Sequence, residues 1–414
     1  MAGFSGGCKQ SALKPINNLA AKVTSSRIDL LEYFKNGFAL VIDDAAGIRR
    51  TLKTMLRQIG VVNTMEADDG DTALRTLQSR SNCLFILVDW NMPRVPGIEV
   101  VRELRAIENT QEVPILMITA ETGRNQVAEA AEAGVNGYIL KPFVAKILEE
   151  KIFAIISARS NPPEYVQLIK KGQDLMIHGD YEKAYDFFQK ANTLRESARA
   201  HVAIGDVHDA WGDFDMAHGS YNAGISLNPM FLRAYLRSAA LHLKQGNMDL
   251  ALAALNKAAD ISPSNSDRHM AIAKIHLDKG NEKQALESFA KALRQGAHKA
   301  EEIAEELLKA GKTETSVLYF RASLQRDADN IHVYNRLGIA LRRQGKWKEA
   351  VHEYNTALKI DPKDEGLYFN MGKAYVEGDQ IKLAQDAFKK ALGLNSGFNE
   401  AKDALNNLSR KVTF

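Results

Sequence analysis

The hydrophobic pattern of the chain changes character near residue 160. Between residues 38 and 156, short apolar runs alternate with segments whose apolar residues recur every three or four positions. The runs predict five strands, at Phe38 to Ile42, Val61 to Glu66, Cys83 to Val88, Val113 to Ile118 and Gly137 to Leu140. Because helical segments separate the strands, we expect an α/β domain with a parallel sheet and helices on both faces over residues 38–157.

From about residue 165 the pattern is helical and repeats itself. Small residues recur at spacings of 33, 34, 34, 31, 34 and 34, at Ala184, Ala217, Ala251, Ala285, Ser316, Ala350 and Ala384. A bulky side chain follows four residues after each, and in six of the seven units a glycine precedes by five residues. These units predict seven pairs of helices over 165–398, followed by a closing helix within 399–414.

Two further segments flank these regions. Residues 158–164 contain Pro162 and Pro163 and predict a short linker. Residues 1–37 predict a loosely ordered start and then a short amphipathic helix with Ile28, Leu31 and Phe34 on its apolar face. Docking of this helix on the α/β domain is the first expectation, and a homodimer contact is the alternative.

Composition narrows the class of protein. The net charge of +3 over 414 residues includes no basic block, which argues against direct nucleic-acid binding. Two cysteines and no long apolar segment argue against a disulfide framework and against a membrane span. The expected location is therefore the cytoplasm.

Polar residues follow the ends of four predicted strands. Asp43 and Asp44 follow the first strand, Asp89 the third, Thr119 the fourth and Lys141 the fifth. Parallel strands bring their carboxyl ends to one edge, so these side chains should lie close together. Three neighbouring carboxylates repel one another, and oxygen ligands without His or Cys favour a hard cation such as Mg²⁺.

The segments FALVIDDAAGIRR, DWNMP, MITAET and GYILKPF resemble the CheY-like receiver domain of bacterial response regulators. The resemblance covers about 120 residues in register. It implies a flavodoxin-like, doubly wound sheet of order 2-1-3-4-5. One departure is Pro96, which stands where receivers usually carry a small or acidic residue.

The same resemblance implies the roles of the site residues. Asp89 would be the phosphoacceptor, and Mg²⁺ would be held by Asp43, Asp44, Asp89 and the backbone carbonyl of Asn91. Thr119 and Lys141 would contact the phosphoryl group, and the Lys141–Pro142 bond would be cis. Thr119 and Tyr138 would form a switch, although a half-buried strand aromatic is the plain interpretation of Tyr138.

A haloacid-dehalogenase-type phosphatase also uses an aspartate at a strand end. That family places a second aspartate two residues later as a general acid, and this chain has Asn91 there. We therefore expect no enzyme acting on external substrates, only the receiver's own phosphorylation and dephosphorylation.

The repeating units are similar to tetratricopeptide (TPR) repeats, which implies an all-α superhelical solenoid with a groove for an extended or helical segment of another protein. The set of Lys, Asn and Arg that clamps a peptide carboxylate in some members is incomplete here, so no ligand is predicted. The combined expectation is a two-component response regulator, phosphorylated by a sensor histidine kinase or phosphotransfer protein, whose output is protein binding. The alternatives are a scaffold that works without phosphorylation and a phosphorelay modulator.

Overall fold

The structure, a computed structural model, describes residues 29–93, 95–120 and 123–412. The chain divides into two compact units. Of the described residues, the first unit comprises those within 1–122 and 133–163, and the second comprises those within 123–132 and 164–414. Within the described ranges, no helix combines the length and apolar character that crossing a membrane requires.

The first unit is built on a five-stranded parallel sheet of order β2-β1-β3-β4-β5, which confirms the predicted topology. The strands are β1 Phe38–Ile42, β2 Thr64–Ala67, β3 Cys83–Asp89, β4 Ile115–Thr119 and β5 Gly137–Leu140. Every residue of β1 and β4 is buried, as apolar runs covered by helices on both faces must be. The third strand pairs with β1 on one side and β4 on the other, so its end lies at the centre of the sheet.

The described residues up to 163 form six helices. They are α1 Leu30–Tyr33, α2 Ala46–Gln58, α3 Gly70–Ser79, α4 Gly97–Ala106, α5 Arg124–Ala133 and α6 Ala145–Ser160. Leu30 and Phe34 of the N-terminal extension join the core that side chains of α2 and α6 form over the sheet. The described part of the extension, residues 29–37, therefore docks on the α/β domain, whereas Ile28 lies outside the described residues.

Several predicted boundaries were wrong by a few residues. The second strand begins at Thr64 rather than Val61, because the N–H of Val61 still donates to the Leu56 carbonyl at the end of α2. Similarly, β4 begins at Ile115, directly after Pro114. The helix α6 continues to Ser160 and stops only before the two prolines, so the connection to the repeats is shorter than 158–164.

The predicted apolar face of the first helix also needs correction. Leu31 is 57% exposed, while Leu30 is buried. Leu30 and Phe34 are four residues apart and therefore lie on the same side of the helix. The buried pair is Leu30 and Phe34, rather than Leu31 and Phe34.

Besides most of α5, the described residues of the second unit form seven pairs of antiparallel helices and a final helix. The pairs are α7 Glu164–Ile177 with α8 Tyr181–Leu194, α9 Ala198–Trp211 with α10 Phe214–Leu227, α11 Leu232–Lys244 with α12 Met248–Ile261, α13 Ser266–Asp278 with α14 Glu282–Gln295, α15 Ala300–Lys309 with α16 Thr313–Leu324, α17 Ile331–Arg343 with α18 Trp347–Ile360, and α19 Glu365–Glu377 with α20 Ile381–Leu394; the last helix is α21 Asn399–Val412.

The turn within each pair requires a positive φ. The glycines of the first six pairs have φ between 75° and 80°. In the seventh pair Asp379 occupies the equivalent position with φ 56°. The turn geometry is thus retained where the glycine is lost, at the energetic cost of a left-handed conformation for a residue with a Cβ.

The fifth pair accounts for the three-residue shortening of the repeat. Its first helix, α15, has only 10 residues and follows a 3₁₀ turn at Ala297–Lys299. Ser316 and Phe320 of its second helix are nevertheless fully buried. The small residue and the aromatic residue therefore pack as in the other pairs.

Candidate functional site

The carboxyl edge of the sheet gathers four of the predicted site residues. Asp43 directly follows β1, Asp89 and Thr119 are the last residues of β3 and β4, and Lys141 directly follows β5. The register pairs Asp89 with Ile118, and Thr119 with Leu140. Asp43, Asp89 and Thr119 are 1%, 6% and 4% exposed, so three polar side chains are buried at one edge.

Lys141 links the two buried carboxylates. Its Nζ lies 2.6 Å from Oδ1 of Asp89 and 3.4 Å from Oδ2 of Asp43. The backbone N–H of Lys141 donates to the Thr119 carbonyl at 2.8 Å, and the Lys141–Pro142 peptide bond is cis, as the resemblance implied. The lysine therefore supplies one positive charge to two carboxylates.

The loop after Asp89 fixes the direction of that side chain. Oδ2 of Asp89 accepts the backbone N–H of Asn91 at 3.1 Å. The N–H of Gly97 donates to the Trp90 carbonyl at 2.9 Å, which closes the loop over the strand end. A Cβ on Gly97 would lie 1.8 Å from the Asp89 carbonyl oxygen, so no other residue fits there without a backbone shift.

Asp43 is held by the start of α2. Its Oδ1 accepts the Ala45 N–H at 2.9 Å, and Arg49 donates to the carbonyls of Asp43 at 2.7 Å and Asp44 at 3.0 Å. The sequence analysis assigned no role to Arg49. It lies one turn into the helix within the segment FALVIDDAAGIRR, and a cation at that spacing is the signal that could have identified it.

The pKa values show how the site distributes charge. Burial raises the pKa of Asp43, and the negative charge of Asp89 adds to this, against the opposing effects of the Ala45 N–H and Lys141. Burial lowers the pKa of Lys141, but its hydrogen bond to Asp89 and the charges of both carboxylates outweigh burial and raise it. Lys141 is thus held as an ammonium, and Asp43 carries its charge at a cost in free energy.

The remaining predicted residues lie outside this buried cluster. Asp44 and Asn91 are exposed. Tyr138 is 38% exposed on β5, and Nζ of Lys151 lies 5.8 Å from the centre of its ring. Tyr138 is therefore partly accessible, whereas Thr119 is buried.

The oxygen atoms of this site bear on whether it can hold a metal ion. In the described part of the chain, no three His, Cys, Asp or Glu side chains are grouped as ligands of an ion. The carboxylate oxygens of Asp43 and Asp89 have the chemistry that Mg²⁺ prefers. In this arrangement the ammonium of Lys141 provides the positive charge between them.

The first helices of the repeats carry a second candidate surface. Acidic side chains on one helix pair with arginines of the next first helix. Asp206 pairs with Arg233 at 2.9 Å and with Arg237 at 3.1 Å, and Glu305 pairs with Arg336 at 2.5 Å. These ion pairs connect neighbouring repeats, which makes the surface polar and places several guanidinium groups on it.

Comparison with known proteins assigns both halves. The response regulator receiver domain family matches residues 39–153. Tetratricopeptide repeat families match residues 202–266, 242–304 and 366–398, and a TPR repeat family matches 338–378. The chemotaxis protein CheY of Pseudomonas aeruginosa is 52% identical over 113 residues, which is 27% of this chain and 90% of that protein. CheY-3 of Vibrio cholerae is 50% identical over 118 residues, or 28% of this chain and 90% of that protein.

Solved structures resemble each half separately. CheY4 of Vibrio cholerae is 30% identical with a TM-score of 0.28, covering 29% of this chain and 98% of that one. A tetratricopeptide repeat protein from Parabacteroides merdae is 18% identical with a TM-score of 0.36, covering 59% of this chain and 99% of that one.

Proposed function

Because the chain belongs to the response regulator receiver domain family and continues into tetratricopeptide repeats, we propose that it is a two-component response regulator whose output is protein binding. Phosphorylation of Asp89 sets the state of the protein, and the repeat array binds the partner. The observation that carries this proposal is the direct contact of Lys141 with Asp89 at the centre of the sheet edge.

The chemistry assigns one task to each side chain. A carboxylate oxygen of Asp89 attacks the phosphorus atom of a phosphorylated histidine or a small phosphodonor, and the leaving group departs with the electron pair of the broken bond. Phosphoryl transfer depends mainly on positioning and on neutralisation of charge. The Asn91 N–H orients Asp89, Lys141 stabilises the charge that arrives with the phosphoryl group, and the Thr119 hydroxyl donates to one of its oxygens.

We propose further that this site binds a magnesium ion. Asp43, Asp44, Asp89 and the Asn91 carbonyl would hold it. When bound, Mg²⁺ neutralises charge on the phosphoryl oxygens. The raised pKa of Asp43 supports a cation at this place, because an added positive charge would relieve the buried carboxylate.

Partners follow from the two modules. A sensor histidine kinase or a phosphotransfer protein would supply the phosphoryl group in the bacterial cytoplasm. The repeats would take an extended or helical segment of another protein.

The first test is chemical. With Mg²⁺ and acetyl phosphate, the intact protein should gain one acid-labile phosphoryl group, seen as a single mass increment. Asp89→Asn should abolish it, since an amide does not form an acyl phosphate. Asp71→Asn, which changes an exposed acid on α3, is the matched control and should be labelled normally. Labelling that survives Asp89→Asn would refute the assignment of the phosphoacceptor.

The second test separates a gated regulator from a scaffold. Partners captured by wild-type protein with beryllofluoride, a phosphoryl mimic, should differ from those captured by Asp89→Asn, and self-association is measured by sedimentation. Couplings of this kind amount to about 5- to 150-fold in affinity. Equal affinity and equal assembly in both states would favour the scaffold that works without phosphorylation.

A further inference from the structure

Residues 123–132 carry an unexpected contact. They lie between β4 and β5 and fall inside the matched receiver range of 39–153. They nevertheless belong to the second compact unit, together with residues 164–414. The segment contains most of α5, which ends one residue later at Ala133.

Within that unit, the carboxylate of Glu132 receives three donors. The Ser262 hydroxyl donates to its Oε2 at 2.6 Å, and Nδ2 of Asn265 donates to its Oε1 at 2.9 Å. The guanidinium of Arg268 forms an ion pair with the same Oε1. Ser262, Asn265 and Arg268 all come from the connection between α12 and α13 and from the first turn of α13.

The connection between α12 and α13 and the first turn of α13 have the charge and hydrogen-bond donors that a bound carboxylate requires. Arg268 is 4% exposed, so its charge requires an anionic partner. Arg268 also donates to the Ser262 carbonyl, while its Nε has no hydrogen-bond partner among the described residues. Asn265 is the N-cap of the 13-residue helix α13, and its Oδ1 accepts the Arg268 N–H at 3.0 Å. A negative charge there also benefits from the helix dipole.

An apolar contact accompanies the charged one. Ala128 lies one helical turn before Glu132 and packs against the cluster of Leu232, Ala258 and Ile261. Ala128 and Glu132 are four positions apart and lie on the same face of α5. This face contacts the apolar cluster through Ala128 and the Ser262 hydroxyl through Glu132.

We propose that Ser262, Asn265 and Arg268 form a carboxylate-binding site whose occupant is Glu132, and that this contact is a latch which phosphorylation of Asp89 loosens. The second half of the statement rests on the proposed function. In the structure Lys141 contacts Asp89 directly, and the Ser262 hydroxyl donates to the Glu132 carboxylate, so the latch is closed. Residue 123, at the start of the latch segment, follows Thr119 by only four positions, which span at most about 14 Å of chain. A shift of Thr119 toward a phosphoryl group would therefore reach this segment through a short connection.

The latch is tested without any phosphodonor, in the full-length chain. Hydrogen exchange is measured by mass spectrometry on the peptides that contain residues 123–133 and 262–268. Glu132→Gln and Arg268→Met should each raise exchange in residues 123–133 at least about tenfold, the effect expected for losing a charged hydrogen bond. The double variant should exchange no faster than the faster single variant, because both remove the same contact.

Ala131→Gln changes an exposed neighbour on the same helix and should leave exchange unchanged. Unchanged exchange in Glu132→Gln, or fully additive effects in the double variant, would overturn the carboxylate site.

A second arm tests regulation. Beryllofluoride should raise hydrogen exchange of residues 123–133 in the wild type and leave that of Asp89→Asn unaffected. Binding of beryllofluoride to the protein is verified by fluorine NMR. Bound beryllofluoride without faster exchange would overturn the regulated latch and leave the carboxylate site standing. Absence of bound beryllofluoride would instead count against the proposed function and against regulation, while the first arm still decides on the site.

Discussion

Removing the charge of Asp43 should stabilise the receiver unit at neutral pH. Asp43 is 1% exposed, and the ammonium of Lys141 that contacts it is closer to Asp89, at 2.6 Å against 3.4 Å. The effective penalty for a buried ion is several kcal/mol, and a shared lysine offsets only part of it. Asp43→Asn keeps an oxygen that can accept the Ala45 N–H, so we expect a gain of about 1–3 kcal/mol in the free energy of unfolding at pH 7.

The pH dependence fixes the sign of this effect. The pKa of Asp43 in the folded protein is raised above its ordinary value of 3.8, chiefly by burial. The folded state therefore holds this proton more tightly than the unfolded state, and ionisation of Asp43 reduces stability. That cost is fully present above the folded-state pKa and disappears as the pH falls to 3.8. The advantage of Asp43→Asn should disappear over the same interval.

The assay must report on one unit of a two-unit chain. Hydrogen exchange of the β1 and β3 peptides, measured against urea concentration at several pH values, gives the unfolding free energy of this unit in the intact protein. Asp44→Asn, which neutralises the adjacent exposed acid, is the control and should change stability by less than about 0.5 kcal/mol. A variant no more stable than the wild type at pH 7, or a gain independent of pH, would refute the reasoning.

Three further predictions concern single positions. Gly97→Ala should destabilise the receiver unit by about 3 kcal/mol in the same urea assay, because the added Cβ would lie 1.8 Å from the Asp89 carbonyl oxygen. Gly47→Ala is the control and should not destabilise the unit, because a Cβ at residue 47 would meet nothing within 4 Å. Asp379→Gly should raise the stability of the last repeat by up to about 1 kcal/mol, since φ is 56° there, and a lower melting temperature would contradict this. Burial raises the pKa of the Cys83 thiol to about 12, so iodoacetamide should alkylate this thiol only after unfolding, as detected by mass spectrometry of its peptide. Rapid labelling of the native protein would show that the thiol is accessible.

The sequence was sufficient for features that depend on local pattern. Six consecutive apolar residues from Cys83 to Val88 predicted the central strand, and they lie in β3. Strand order and the convergence of Asp43, Asp89, Thr119 and Lys141 at one edge followed from the parallel arrangement and the resemblance. The sequence pattern did not predict where β2 and β4 begin, because apolar residues just before a strand can also belong to the preceding helix end or loop.

Other features depend on contacts between residues distant in sequence. The positive φ of Asp379 is visible only by alignment with the glycines of the other repeats. The Glu132–Arg268 pair joins residues 136 positions apart, and neither residue belongs to a motif. Periodicity gives the face on which a side chain lies and gives no information about its partner, so an interaction of this kind can be found only in three dimensions.

The Glu132 carboxylate and the Asp43–Asp89 pair differ in a way that fits their proposed roles. Glu132 receives a hydroxyl, an amide and a guanidinium from an arginine that has no other carboxylate partner among the described residues, so its charge is matched one to one. Asp43 and Asp89 share the single ammonium of Lys141, and the pKa of Asp43 remains raised. A matched pair gains little from any added ion and is suited to holding two segments together. An under-neutralised pair gains most from an added cation, and the site that has the raised pKa is therefore the one suited to metal-assisted phosphoryl transfer.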